Sequence, residues 1–104
     1  MGNEKNQNKK EAAFDEGKKK KAMLEQFARF EGQGKPLMTV EEIKTLLEKA
    51  NLSATRIRLE TGLGRSKAEK LAKLELKGSN GQTLKILSAL FYAKGYKKAD
   101  GAAQ

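Results

Sequence analysis

The stretch "LSATRIRLETGLGRSKAEKLAKL", residues 52–74, decides how this chain is read. Two amphipathic runs meet at Gly62, Leu63 and Gly64, and Arg65, Ser66, Lys67 and Lys70 follow at once. A phosphate-cradling loop would need glycines ending in Gly-Lys-Ser/Thr, or three spaced glycines after a strand. Here the glycines follow a polar helical run, and that reading fails. A plain helical hairpin asks for polar residues at the turn and no particular spacing, yet spacing is present. Gly62 stands where a chain leaving a helix takes a left-handed conformation. Leu63 is placed to plug the angle between two helices. Ile57 lies five residues before Gly62, Ala68 six after and Leu71 nine after, so one face of each helix meets the other. That is the apolar skeleton of two helices joined by a sharp bend.

Outward from this stretch the chain reads as helical throughout. Thr39 and Glu42 have the form of a capping box before Ile43, Leu46 and Leu47, which predicts a helix over 39–50 ended by Asn51. Ser53 is the expected N-cap of the next helix, which runs to Gly62. Ala68, Leu71, Ala72 and Leu74 to Leu76 mark the helix after the bend, with Ser66 and Glu69 as an alternative capping pair at its start. "KGSNG", 77–81, is a loop. Ser79 and Gln82 resemble a second capping pair before a helix whose inward residues are Leu84, Ile86, Leu87, Leu90 and Phe91, with Gly95 at its C′ position.

Upstream, Met23, Leu24, Phe27 and Phe30 form an apolar stripe at helical spacing, preceded by the lysine run Lys18 to Lys21. Lysines at a helix start oppose its dipole, so this helix begins earlier or frays there. Gly32, Gly34 and Pro36 stop it. The expected organisation is a disordered polar tail over 1–17, an N-terminal amphipathic helix and linker over 18–36, a helical domain over 37–96 and a disordered tail over 97–104. The fold class is all-α: four to five helices in one compact domain with an N-terminal helical arm.

Composition narrows the chemistry. Of 104 residues, 38% are hydrophobic and 34% charged, which suits a small helical domain with a charged exterior. Lysine and arginine number 22 against 13 aspartates and glutamates, a net +9 that points to a polyanionic partner, nucleic acid before acidic membrane. Cysteine and histidine are both absent, which removes thiolate and imidazole metal sites, thiol nucleophiles and the commonest general base. No metal and no cofactor is expected, and the chain does not read as an enzyme. No apolar run approaches the roughly 18 residues that span a bilayer. The opening "MGNEKNQNKK" lacks a secretory core, and Asn6 stands where a myristoylation motif wants serine or threonine. A cytoplasmic location follows, nucleoid-associated if the partner is DNA.

Three segments taken in order resemble the Cro/cI-type (phage lambda repressor-like) DNA-binding family over residues 39–93. "IKTLLEKANLS" looks like that family's first helix, "ATRIRLETGLGRSKAEKLA" like its helix-turn-helix and "QTLKILSAL" like its closing helix. One departure is Arg58, four residues before the turn glycine, where the family usually carries alanine. The resemblance implies that the second helix of the motif enters the major groove while the first crosses the backbone.

Carried over by position, Arg65, Ser66 and Lys70 face base edges. Arg56, Arg58, Lys67, Lys73, Asn80 and Gln82 lie toward the phosphate backbone. Between Ser53 and Lys73 six basic residues stand against two acidic ones, a clustered excess. Glu69 is expected to face a cytosine amine, a neighbouring lysine, or nothing. The lysine run 18–21 reads either as a basic arm touching DNA or as a solvated helix end.

Regulators of this kind usually dimerise on a two-fold site. Met23, Leu24, Phe27 and Phe30, or Phe91, Tyr92 and Tyr96, are the candidate contacts for a homodimer, although the first set equally suits cis packing on the chain's own core. The function implied is sequence-specific duplex-DNA binding by a bacterial or phage-type transcriptional regulator. Two alternatives stay open. One is an antitoxin with an autoregulatory helix-turn-helix and a toxin as protein partner. The other is a basic accessory protein that binds nucleic acid without sequence preference.

Overall fold

A computed structural model describes residues 15–96; the expected tail over 97–104, and positions 1–14 of the one expected over 1–17, lie outside the described residues. Five helices occur in this range: α1 (Glu16–Gly32), α2 (Val40–Ala50), α3 (Ala54–Thr61), α4 (Arg65–Ala72) and α5 (Gly81–Ala93). No strand occurs among the described residues. The all-helical expectation holds at this level. No helix among them is long and apolar enough to cross a membrane.

α1 begins at Glu16, two residues before the expected division at 17 and 18, which is the earlier start that one of the two readings of the lysine run expects. Asp15 is its N-cap, with Oδ1 accepting from the Lys18 N–H, and Glu16 adds a second carboxylate to the first turn. Two acidic groups at the positive end of the helix dipole offset the lysines that follow, and the lysine run is held in regular helix. α1 is also less of an arm than expected. Met23 and Phe27 are buried in the same apolar cluster as Ile43, Ile57, Leu71, Ile86 and Phe91.

The connection from α1 to α2 is fastened to α5 by two buried or half-buried bonds. The Met38 N–H donates to Ser88 Oγ at 2.9 Å, and the Tyr92 hydroxyl donates to the Pro36 carbonyl at 2.7 Å. Met38 and Ser88 are both fully buried. Substituting Ser88 with alanine leaves the Met38 N–H without an acceptor, and a loss of about 1–3 kcal/mol in unfolding free energy is expected. Chemical denaturation checks it; a loss under about 0.5 kcal/mol would place that bond among the dispensable ones.

At α2 both halves of the capping box form. The Glu42 N–H donates to Thr39 Oγ1 at 3.1 Å, and the Thr39 N–H donates to Glu42 Oε1 at 2.8 Å. Asn51 ends the helix in the left-handed region, and Ser53 caps α3 by accepting from the Arg56 N–H.

Two expected starts and one expected stop are corrected. α4 starts at Arg65 behind Gly64, without a side-chain cap, so Ser66 and Glu69 do not form the alternative capping pair. α5 is capped by Asn80, whose Oδ1 accepts from the Thr83 N–H at 2.8 Å, and not by Ser79. α4 also ends at Ala72, well short of Leu76. Leu74 takes a left-handed φ of 64°, the Glu75 N–H donates to the Lys70 carbonyl and the Leu74 N–H to that of Leu71. This is a Schellman closure with leucine where glycine is usual. Ala72 is exposed, and Leu76 is buried from the loop that follows.

Candidate nucleic-acid interface

The bend between α3 and α4 is built from its buried side chains. Thr61, fully buried, donates its hydroxyl to the Ile57 carbonyl at 2.6 Å and accepts the Leu63 N–H at 3.1 Å. Gly62 is left-handed at φ 79° and its N–H donates to the Arg58 carbonyl. Leu63 is buried, as are Ile57 on α3 and Ala68 and Leu71 on α4. The apolar face of α4 is therefore fixed against α3, and its register leaves the opposite face to solvent.

That outer face carries Arg65, Ser66, Glu69, Lys70 and Lys73, all exposed. The Arg65 side chain is 80% accessible and its Nε donates to Glu69 Oε2 at 3.4 Å. Glu69 is therefore answered by an arginine one turn earlier, a partner the sequence reading did not include. Lys70 also borders an open cleft shared with Lys44 and Lys77, and with Glu41 and Glu75. The three base-reading candidates Arg65, Ser66 and Lys70 thus lie on one exposed strip, with Lys73 beyond its end.

The backbone candidates divide. Arg56 is exposed but paired with Glu60 at 2.7 Å, and Glu60 also accepts from Lys94 at 3.1 Å. Lys67 is half-buried and its Nζ donates to Thr83 Oγ1 at 3.3 Å, joining α4 to the first turn of α5. Asn80 is occupied as the α5 cap, whereas Gln82 is exposed in the first turn. Arg58 departs furthest from expectation. Its guanidinium donates through both Nε and Nη2 to Glu16 Oε2, at 3.2 and 2.6 Å, which ties α3 to α1. Arg58 is therefore a strut between α3 and α1 and not a free cation.

Glu16 is the residue that sequence reasoning missed. It was assigned to a disordered tail, yet Glu16, Lys20, Met23 and Phe27 follow the spacing of one helical face. The two proposed dimer surfaces are largely occupied within the chain. Phe27 and Phe91 are buried, Phe30 packs on Tyr92 with ring centroids 5.6 Å apart, and Tyr96 meets Phe91 edge-on at the same separation.

Among the described residues no group of three or more His, Cys, Asp or Glu side chains is placed to hold a metal ion. A scan of the chain against protein-family models finds no match, and neither curated proteins nor solved structures match it.

Proposed function

We propose that this chain is a transcriptional regulator that binds specific double-stranded DNA, with α4 as the helix that enters the major groove. One observation carries the reading. α4 is pinned by Ala68 and Leu71 across a left-handed bend, while Arg65, Ser66, Lys70 and Lys73 stand together on its exposed side. A helix needs its polar face clear of the domain to fit a groove, and side chains near its N-terminus reach base edges first.

The Arg65–Glu69 pair does not oppose this role. An exposed i,i+4 ion pair contributes about 0.2–1 kcal/mol. A bidentate arginine contact to guanine O6 and N7 supplies about 1–3 kcal/mol of discrimination against the wrong base. Release of Glu69 is therefore a small cost, and Glu69 keeps the guanidinium near its working position beforehand. Ser66 suits either base type, and Lys70 adds a flexible donor one turn on. Lys73 and Arg56 are assigned to phosphate. Arg58 is not, because its charge-assisted bond to Glu16 would have to break. Gln82, in the first turn of α5, remains a backbone candidate.

Selection from a random duplex pool, followed by binding measurements on the preferred and a scrambled duplex, tests the reading. Arg65→Ala and Lys70→Ala are expected to weaken the preferred duplex by about 1–3 kcal/mol each, and the scrambled one by clearly less. Equal losses on both would reduce α4 to a phosphate contact and favour an accessory protein without sequence preference. A wild-type chain that shows no duplex preference at any salt concentration would overturn the reading outright.

A further inference from the structure

We infer that Lys19 and Lys20 of α1 form a second, sequence-independent phosphate contact flanking the bend, so that a bound duplex is held by α1 as well as by α4. The inference rests on the reading of α4 just given and extends the partner's footprint to a helix outside the segment that resembles the Cro/cI-type family.

The first turns of α1 lie directly on the bend. A methyl carbon placed on Gly62 would lie 2.5 Å from the Lys20 backbone nitrogen, 2.7 Å from the Glu16 carbonyl and 2.9 Å from Lys19 Cβ. Gly62 is three residues before Arg65 in the chain, so the first turns of α1 adjoin the bend that leads into α4. The nearby carboxylate, Glu16, is taken by Arg58, and no ion pair among the described residues uses Lys19 or Lys20. Both lysines are half-buried, and a lysine in that setting ordinarily lays its stem on the protein and keeps its ammonium in water.

Their position also runs against helix electrostatics. Cations in the first turns weaken a helix, and α1 needs Asp15 and Glu16 to offset them. Residues that break a local rule at a cost are expected where function asks for them. A duplex phosphate beside the entry of α4 supplies the reason.

The test uses the full chain with Lys19→Gln and Lys20→Gln combined, and Arg29→Gln in the last turn of α1 with Lys35→Gln just beyond its end as a charge-matched control. Each removed phosphate contact lowers the slope of log affinity against log salt by about 0.9, so the double variant is expected to lose about 1.8. The loss should fall equally on the preferred and the scrambled duplex, leaving their ratio unchanged, and the control should keep the wild-type slope. The melting midpoint of the double variant should match or exceed wild type, since the dipole conflict is relieved.

An unchanged slope in a chain that still prefers its duplex overturns this inference alone. Equal slope losses in the variant and the control also overturn it, in favour of a diffuse field. Binding to anionic phospholipid vesicles that needs Lys19 and Lys20, with duplex binding unaffected, overturns it in favour of a membrane surface. Absence of any duplex preference in the wild-type chain removes the reading of α4 first, and this inference with it.

Discussion

Gly62→Ala is expected to cost about 2–5 kcal/mol, since a left-handed φ charges a side chain about 1–2 kcal/mol and overpacking adds about 1–3. Both terms apply at this position. The backbone sits at φ 79°, and the added carbon would press on the backbone atoms Lys20 N and Glu16 O, which cannot rotate aside. For a domain of this size each kcal/mol moves the melting midpoint by about 4–8 °C. A drop of more than about 10 °C is the expected result.

Gly34 supplies the control. It is also left-handed, at φ 87°, but nothing lies within 4 Å of the carbon it would gain. Gly34→Ala should therefore show the conformational cost alone. The difference between the two variants measures the contact between α1 and the bend. Equal losses would mean that α1 does not press on Gly62, and the placement of Lys19 and Lys20 would go with it. Arg65 begins α4 only three residues later, so Gly62→Ala should also weaken duplex binding more than its stability loss alone explains.

How far residues and spacing reveal such a structure depends on whether the determining interaction is local. Thr39 with Glu42, Asn51, Ser53 and Gly62 each act within one turn of their own helix. Each does in the fold what its position predicts. Gly95 does so as well, its N–H bonded to the Tyr92 carbonyl beyond the end of α5. The competition between adjacent capping candidates was not legible. Ser79 and Asn80 are both good caps, and the choice fell on Asn80, whose Oδ1 accepts from the Thr83 N–H.

The end of α4 was hidden for a different reason. Its C′ residue is Leu74, a side chain that ordinarily avoids positive φ, and closure there is favoured by burying Leu76 and half-burying Leu74. Tertiary packing overrode local propensity, and no punctuating glycine announced the stop. Arg58 was hidden most deeply. Its partner Glu16 lies 42 residues away, in a segment whose low hydrophobicity suggested no structure. For the site, the exposed strip of α4 was legible from the periodicity of Ala68 and Leu71. The commitments of Lys67, Asn80 and Arg58 were not, since each depends on a partner outside α4.

The standing of α1 is decided by the second large effect. Phe27→Ala is expected to destabilise the chain by about 3–5 kcal/mol, the usual range for emptying a buried phenylalanine site. Phe27 is only 2% exposed and belongs to the cluster that holds Phe91 and Ile86 of α5, so its removal opens a cavity in the main core. Had the Met23, Leu24, Phe27 and Phe30 stripe served chiefly as a subunit contact, the loss would appear as weakened association. Stability would then rise with protein concentration by mass action. Packing within one chain predicts the opposite: a large drop in midpoint that is the same across a hundred-fold range of concentration. The distinction matters for DNA binding, because a stripe spent on the chain's own core cannot also join two copies on a two-fold site. A small loss, or a midpoint that climbs with concentration in the wild-type chain, would detach α1 from the core and return its apolar face to a partner.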